Sequence, residues 1–211
     1  MTKIGLTGEC CSGKTYICNI FKESGIKVYN TDLRVKYLQN TNHDLRNQII
    51  EYLGPKSYID SDGSYYSSGI SILDSKYVAD IIFNDDIKKK RIVSMITPYL
   101  LEDYAYFCEN NRHEVFTIVE SDILFESGWN EIVDYIIYVQ ASESKRIERF
   151  IKRSAFSDAT AEYYKLRMKD QFSPIVKAYA SDWVINNFTE ISKKSKVDEI
   201  INEILLNAKY S

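Results

Sequence analysis

The sequence predicts a three-layer α/β domain built on a parallel sheet, and three observations carry that prediction. Short apolar runs at residues 3–7, 26–29, 114–119, 135–139 and 183–185 alternate with stretches of helical periodicity. The first run passes directly into a glycine-bearing loop, Gly8-Glu9-Cys10-Cys11-Ser12-Gly13-Lys14-Thr15, that opens the first helical stretch. No internal repeat or flexible linker divides the chain, so its helical stretches near 60–110 and 145–180 read as insertions on one core.

Lys3-Ile4-Gly5-Leu6-Thr7 reads as a short buried strand, and residues 15–23 as a helix with Ile17, Ile20 and Phe21 at helical spacing. Gly25 stands where a C-terminal cap is expected. Ile26-Lys27-Val28-Tyr29 is the second strand, with Asp32 just past its end; a strand-helix-strand unit implies parallel strands with a right-handed crossover. A helical pattern runs from Thr31 to Leu53 and stops at Gly54-Pro55. Residues 58–69 read as a loop or irregular hairpin, with Asp60-Ser61-Asp62-Gly63 as a turn. Helices are expected over 75–83 and 87–110, with Pro98 early in a new turn. Strands at 114–119 and 135–139 follow, then cation-rich helices over 142–152 and 159–169. A last strand at 183–185 and an amphipathic helix over 197–208 close the pattern.

With 211 residues the chain suits one compact domain. Its 27 basic and 30 acidic residues, a net charge of −3, argue against nucleic-acid binding through a general basic field. No run approaches the ~18 apolar residues of a membrane span. No signal-peptide pattern follows Met1, so the expected location is the cytoplasm, without membrane or nucleic-acid partners. Cys10, Cys11, Cys18 and Cys108 show no C-x-x-C spacing and the histidines are His43 and His113; reduced thiols are expected, not a zinc site or disulfide framework. Asn187-Phe188-Thr189 spells a glycosylation sequon that carries no weight without secretion.

The loop from Gly8 to Thr15 has the spacing of a phosphate-binding P-loop. Successive backbone N–H groups can nest around a β-phosphate at a positive helix N-terminus, and Gly8 and Gly13 permit a backbone path that a Cβ would block. Lys14 would neutralise β/γ oxygens, and the Thr15 hydroxyl would ligate Mg²⁺. Asp32 shares the carboxyl-end rim with the loop and could take a proton from an attacking hydroxyl, or serve only as a helix N-cap. Arg149 and Arg153, four apart in a run with Lys145, Arg146 and Lys152, share a helical face suited to transferring phosphoryl charge; the alternative is a solvated surface. Glu120, after the 114–119 strand, stands where an acid can hold the magnesium shell, and Glu126 could instead pair with a structural cation. Cys10 and Cys11 sit at a helix N-terminus, which can lower a thiol pKa; inert filler is the plainer reading.

In order and spacing these motifs resemble the dephospho-CoA kinase family. Ile4-Gly5-Leu6-Thr7-Gly8 with Ser12-Gly13-Lys14-Thr15 is similar to its start. Ile26 to Asp32 resembles its segment ending in Asp-Ala-Asp, and Ile123-Leu124-Phe125-Glu126 its Pro-Leu-Leu-Phe-Glu segment. Ile72-Leu73-Asp74-Ser75 is similar to the stretch before its CoA-side helices. Arg149 and Arg153 fall on its lid arginines, Gln171 on a following glutamine, and Asp182 to Asn187 on a late strand and asparagine near adenine. Departures are Asn30, Ser75, Thr97 and Asp122, where the family has aspartate, arginine, histidine and proline.

The resemblance implies ATP-dependent phosphorylation of the ribose 3′-hydroxyl of dephospho-CoA, the last step of coenzyme A biosynthesis, with ATP and Mg²⁺. Asp32, Lys14 and Arg149 would be catalytic. Gly8, Cys11, Ser12, Gly13, Lys14, Thr15, Tyr16, Arg153 and Asn187 would bind ATP, with Thr15 on the metal and Glu120 in its outer shell. The implied layout is one P-loop kinase domain, a monomer or weak homo-oligomer. Its core covers about 1–58, 112–142 and 181–211, with a substrate-side helical region at 59–111 and a basic lid at 143–180. Alternatives are a kinase of another nucleotide or nucleoside acceptor, or a nucleotide-binding switch or scaffold without turnover. A GTP switch would want an Asn-Lys-x-Asp motif, whose nearest spelling is Ser195-Lys196-Val197-Asp198.

Overall fold

In a computed structural model the described residues are 1–60, 71–82, 85–153, 160–188 and 193–209. In chain order the elements are β1 (Thr2–Thr7), α1 (Lys14–Glu23), β2 (Lys27–Asn30), α2 (Thr31–Thr41), α3 (His43–Leu53), β3 (Tyr58–Asp60), β4 (Ser71–Leu73), α4 (Ser75–Ile82), α5 (Asp86–Asn110), β5 (Phe116–Glu120), β6 (Tyr135–Gln140), α6 (Glu143–Arg153), α7 (Ala161–Met168), α8 (Pro174–Tyr179), β7 (Trp183–Asn186) and α9 (Lys193–Lys209). The chain divides into two compact units, residues 1–30 with 110–211, and residues 31–109.

In the first unit five strands form a parallel sheet in the order β2-β5-β1-β6-β7. Central β5 is buried throughout, as a strand covered on both faces must be. One face, carrying Ile4, Leu6, Phe116, Ile118, Ile137 and Val139, packs on Ile17, Ile20 and Phe21 of α1 and Val197, Ile200 and Ile204 of α9. On the opposite face Gly5 lies under Leu124, whose Cδ2 would stand 2.8 Å from an added Cβ. The register pairs Leu6 and Asn30 with Glu120, and Thr7 with Tyr138, which brings the strands' carboxyl ends to one rim. Ligands bind outside such a rim in open α/β sheets. Gly25 follows α1 at φ +87°, as expected of a cap.

The second unit holds α2 to α5 and the antiparallel β3–β4 hairpin. The helical stretch expected over 31–53 is two helices. Asn42 breaks it, and its side chain accepts from Leu45 N at 2.9 Å as the N-cap of α3. Pro98 starts no new turn but lies inside the 25-residue α5, where the Thr97 hydroxyl donates to Val93 O at 2.8 Å one turn back. Arg34 clamps α2 to α5 through Asp103, with Nε–Oδ2 at 2.7 Å. The expected turn at 60–63 lies largely outside the described residues.

Candidate active site

The loop between β1 and α1 needs glycine at two places for different reasons. A Cβ on Gly8 would collide with the Val139 carbonyl and come within 2.7 Å of Ser12 Oγ. Gly13 lies at φ +101° against the Asn187 amide, and as the residue before α1 it contributes no side-chain cap. The first N–H groups of α1 thus receive nothing from the capping side chain, the arrangement that suits an anion. Ser12 Oγ is buried and, among the described residues, has no hydrogen-bond partner. An orphaned hydroxyl inside an N–H cradle fits a phosphate oxygen.

Lys14 is buried, and its Nζ lies 2.8 Å from Gly8 O, 3.0 Å from Glu9 O and 2.7 Å from Asp122 Oδ1. The loop lysine is thereby folded back over its own loop, held partly by a carboxylate at a position of family proline. Thr15 Oγ1 donates to Glu120 Oε1 at 3.1 Å, and Asn30 Nδ2 donates to Glu120 Oε2 at 2.5 Å. Asn30 replaces a family aspartate here with a neutral donor, so two carboxylates do not face each other. Thr15 and Glu120 offer hard oxygen donors at one point of the rim, a set that fits Mg²⁺.

Arg149 Nη1 donates to Cys11 O at 3.1 Å and Ser12 O at 3.2 Å, and Asn187 Nδ2 donates to Ser12 O at 2.8 Å. Both residues thus grip loop carbonyls. Arg153 is exposed at the end of α6, and its charge still helps to stabilise a thiolate at Cys11. Tyr16 is solvent-exposed on α1. Asp32 is exposed and lies in the first turn of α2, in the second unit.

Several supporting residues escaped the sequence. Glu9 is buried and accepts from Tyr138 OH at 2.8 Å on both oxygens, with Arg146 Nη1 3.7 Å away. Arg146 Nη1 also donates to Tyr164 OH at 2.8 Å, which donates to Cys10 O at 3.2 Å. Burial, then the Glu9 charge, pushes the Tyr138 phenol up, so it stays a donor. Arg146, three residues before Arg149 on the same basic helix, was the available signal. Glu126 meets the structural cation anticipated for it, since fully buried Lys177 lies 2.9 Å from its Oε1. Ser195 to Asp198 lie within α9, with Val197 buried and Lys196 paired to Glu199, so they form no guanine loop. A cavity of about 320 Å³ lined by Met1, Thr2, Val115, Tyr135, Trp183 and Ile204 opens at the strands' amino ends, away from this chemistry.

The two vicinal thiols of the loop are close, Cys10 Sγ to Cys11 Sγ 3.7 Å. Their shared hydrogen bond pushes Cys10 up and lowers Cys11 to about 7, with Arg153 and Lys14 helping against burial.

The family described as dephospho-CoA kinase has a model that matches residues 2–193. The chain belongs to the dephospho-CoA kinase family. A dephospho-CoA kinase of Salinibacter ruber is 29% identical over 189 residues, covering 89% of each chain. One of Aquifex aeolicus is 27% identical over 205 residues, covering 97% of this chain and 98% of its own. Among solved structures, TT1252 from Thermus thermophilus superposes with a TM-score of 0.74 at 21% identity, covering 96% of this chain and 97% of that one. Dephospho-CoA kinase from Campylobacter jejuni does so with a TM-score of 0.65 at 20% identity, covering 96% of each chain. At those identities the two structures bear on fold alone, and they agree with a three-layer P-loop kinase fold. Among the described residues no helix is long and apolar enough to cross a membrane.

Proposed function

We propose that this member of the family transfers the γ-phosphoryl group of ATP to the ribose 3′-hydroxyl of dephospho-CoA in the cytoplasm, completing coenzyme A. What supports it most is the grouping of Lys14, Thr15 and Glu120 at the carboxyl rim of a chain in this family.

The loop N–H groups, Ser12 Oγ and the start of α1 would bind the phosphates, with Gly8 and Gly13 keeping the cradle open. Mg²⁺ held by Thr15, with Glu120 in its outer shell, would neutralise phosphate charge. Lys14 leaves Asp122 for the β/γ oxygens, and Arg149 turns from the loop carbonyls toward the transferring group, where developing charge is largest. Arg153 supports the lid, and Asn187 and Tyr16 complete the nucleotide side, Asn187 toward the adenine. Asp32 accepts the proton of the 3′-hydroxyl as that oxygen bonds to the γ-phosphorus and the bond to ADP breaks.

The test is direct. Purified protein with ATP-Mg²⁺ and dephospho-CoA should yield CoA and ADP, read by mass spectrometry. Turnover of a different hydroxyl acceptor, with none of dephospho-CoA, would remove the acceptor assignment and leave the kinase.

A further inference from the structure

Glu9 to Ser12 form a tight turn, closed by Ser12 N to Glu9 O at 3.0 Å. Cys11 occupies its third position at φ +63°, a left-handed conformation that glycine takes freely and a Cβ residue adopts at a cost of ~1–2 kcal/mol. The turn therefore favours glycine where the chain has a second cysteine. Both thiols are partly exposed, while Cys18 is buried with its thiol pushed up by burial and then by Glu120. The charges of Arg153 and Lys14 favour a thiolate at Cys11, against burial and the Asp122 charge.

We propose that Cys10 and Cys11 form a peroxide-reactive dithiol that closes to a reversible vicinal disulfide and switches off nucleotide binding. The Cys11 thiolate attacks hydrogen peroxide. Its S–O bond forms as the O–O bond breaks, the sulfur is oxidised to sulfenic acid, and hydroxide leaves. The Cys10 sulfur then attacks Cys11; the S–S bond forms, the S–O bond breaks, and the oxygen leaves as water with the Cys10 proton. Cys10 keeps that proton until this step because the shared hydrogen bond and burial push its thiol up.

Closure requires the sulfurs to approach from 3.7 Å to about 2.05 Å. Neighbouring Cα atoms stand ~3.8 Å apart, shorter than the ~4.4–6.8 Å usual across a disulfide. Such a bond is strained and easily reduced, a property of regulatory disulfides. Drawing the sulfurs together also distorts the turn whose N–H groups cradle phosphate, so oxidation and nucleotide binding exclude each other. Bound phosphate charge would in turn disfavour the Cys11 thiolate and slow the first step.

The inference rests on nucleotide binding by the loop but not on the acceptor, and ATP binding by reduced protein is measured first to separate the two. Absence of that binding removes the donor half of the proposed function and this switch with it. Protein treated with hydrogen peroxide should lose two hydrogens in the tryptic peptide holding Cys10 and Cys11. ATP affinity should fall at least tenfold, and dithiothreitol should restore both. ATP-Mg²⁺ present during treatment should slow the change several-fold. Cys10→Ser should stop at a dimedone-reactive sulfenic acid on Cys11, and Cys11→Gly should form neither that acid nor a disulfide. Oxidation first at Cys108, no disulfide in the wild type, or a disulfide that leaves ATP affinity unchanged would each overturn the switch.

Discussion

Lys14 Nζ and Asp122 Oδ1 stand 2.7 Å apart, so the cation that must meet ATP already faces a carboxylate. With Gly8 O and Glu9 O as its other neighbours, each proton of the ammonium has an acceptor. Phosphate binding must displace one of them, and the anion is the costlier to leave. Asp122 is 31% exposed, so solvent screens the pair and the effect is modest. Asp122→Asn should bind ATP about three- to fivefold more tightly, a gain of ~1 kcal/mol or less. Isothermal titration reads it; unchanged or weaker binding would make Asp122 a partner of the bound ion, not a competitor.

Asp32 makes a separable prediction because its assigned role touches the acceptor and not the nucleotide. Asp32→Asn should keep ATP affinity within about twofold, while kcat falls by about 10²–10⁴, the range of a lost general base. Unchanged turnover would leave Asp32 a favourable charge at a helix start and nothing more.

Arg149 has a resting role at the carbonyls of Cys11 and Ser12, and the proposed role at the transferring phosphoryl group. Arg149→Ala should lower kcat by about 10²–10³, with ATP affinity falling less than tenfold. Equal losses in both would show that the arginine acts mainly by holding the loop.

The buried Glu9 network makes a stability prediction. Glu9→Ala leaves Arg146 buried without its carboxylate and Tyr138 without its acceptor. Removing one partner of a buried pair costs about 3–5 kcal/mol, lowering Tm by on the order of 10 °C. Differential scanning fluorimetry checks this, and a Tm within about 2 °C of wild type would show that water or rearrangement satisfies Arg146.

The parts of the fold legible in the sequence were those where local chemistry permits few alternatives. Buried parallel strands must be short apolar runs, and a phosphate cradle needs glycines, a lysine and a hydroxyl at fixed spacing, so β1, β5, β6 and the Gly8–Thr15 loop stood out. The 31–53 stretch did not show its break because Asn42 sits in an otherwise continuous helical pattern, and only its side-chain bond to Leu45 N reveals the cap. Helix α8 was missed because it is six residues long with Ile175, Val176 and Tyr179 outside, which inverts the expected pattern. Asp122 and Glu9 were illegible for another reason. Their partners Lys14, Tyr138 and Arg146 are set by strand register and loop path between distant segments, which no local pattern encodes.

The last prediction concerns the ionisation of Cys11. Its thiol is lowered to about 7, first by the hydrogen bond it shares with Cys10 and then, against burial, by Arg153 and Lys14. An acid with a lowered pKa is neutral below that value and charged above it, and only the thiolate alkylates quickly. Iodoacetamide labelling of Cys11 in nucleotide-free protein should therefore rise through a midpoint near pH 7, while buried Cys18 stays unlabelled. Cys10→Ala removes the leading cause of the shift, so the midpoint should move upward, toward the ordinary thiol value. Arg153→Gln removes a smaller contribution and should move it less, in the same direction. Peptide mass spectrometry across a pH series resolves each cysteine. A wild-type midpoint above about 8.5, the value of a free thiol, would mean that the loop does not stabilise the thiolate.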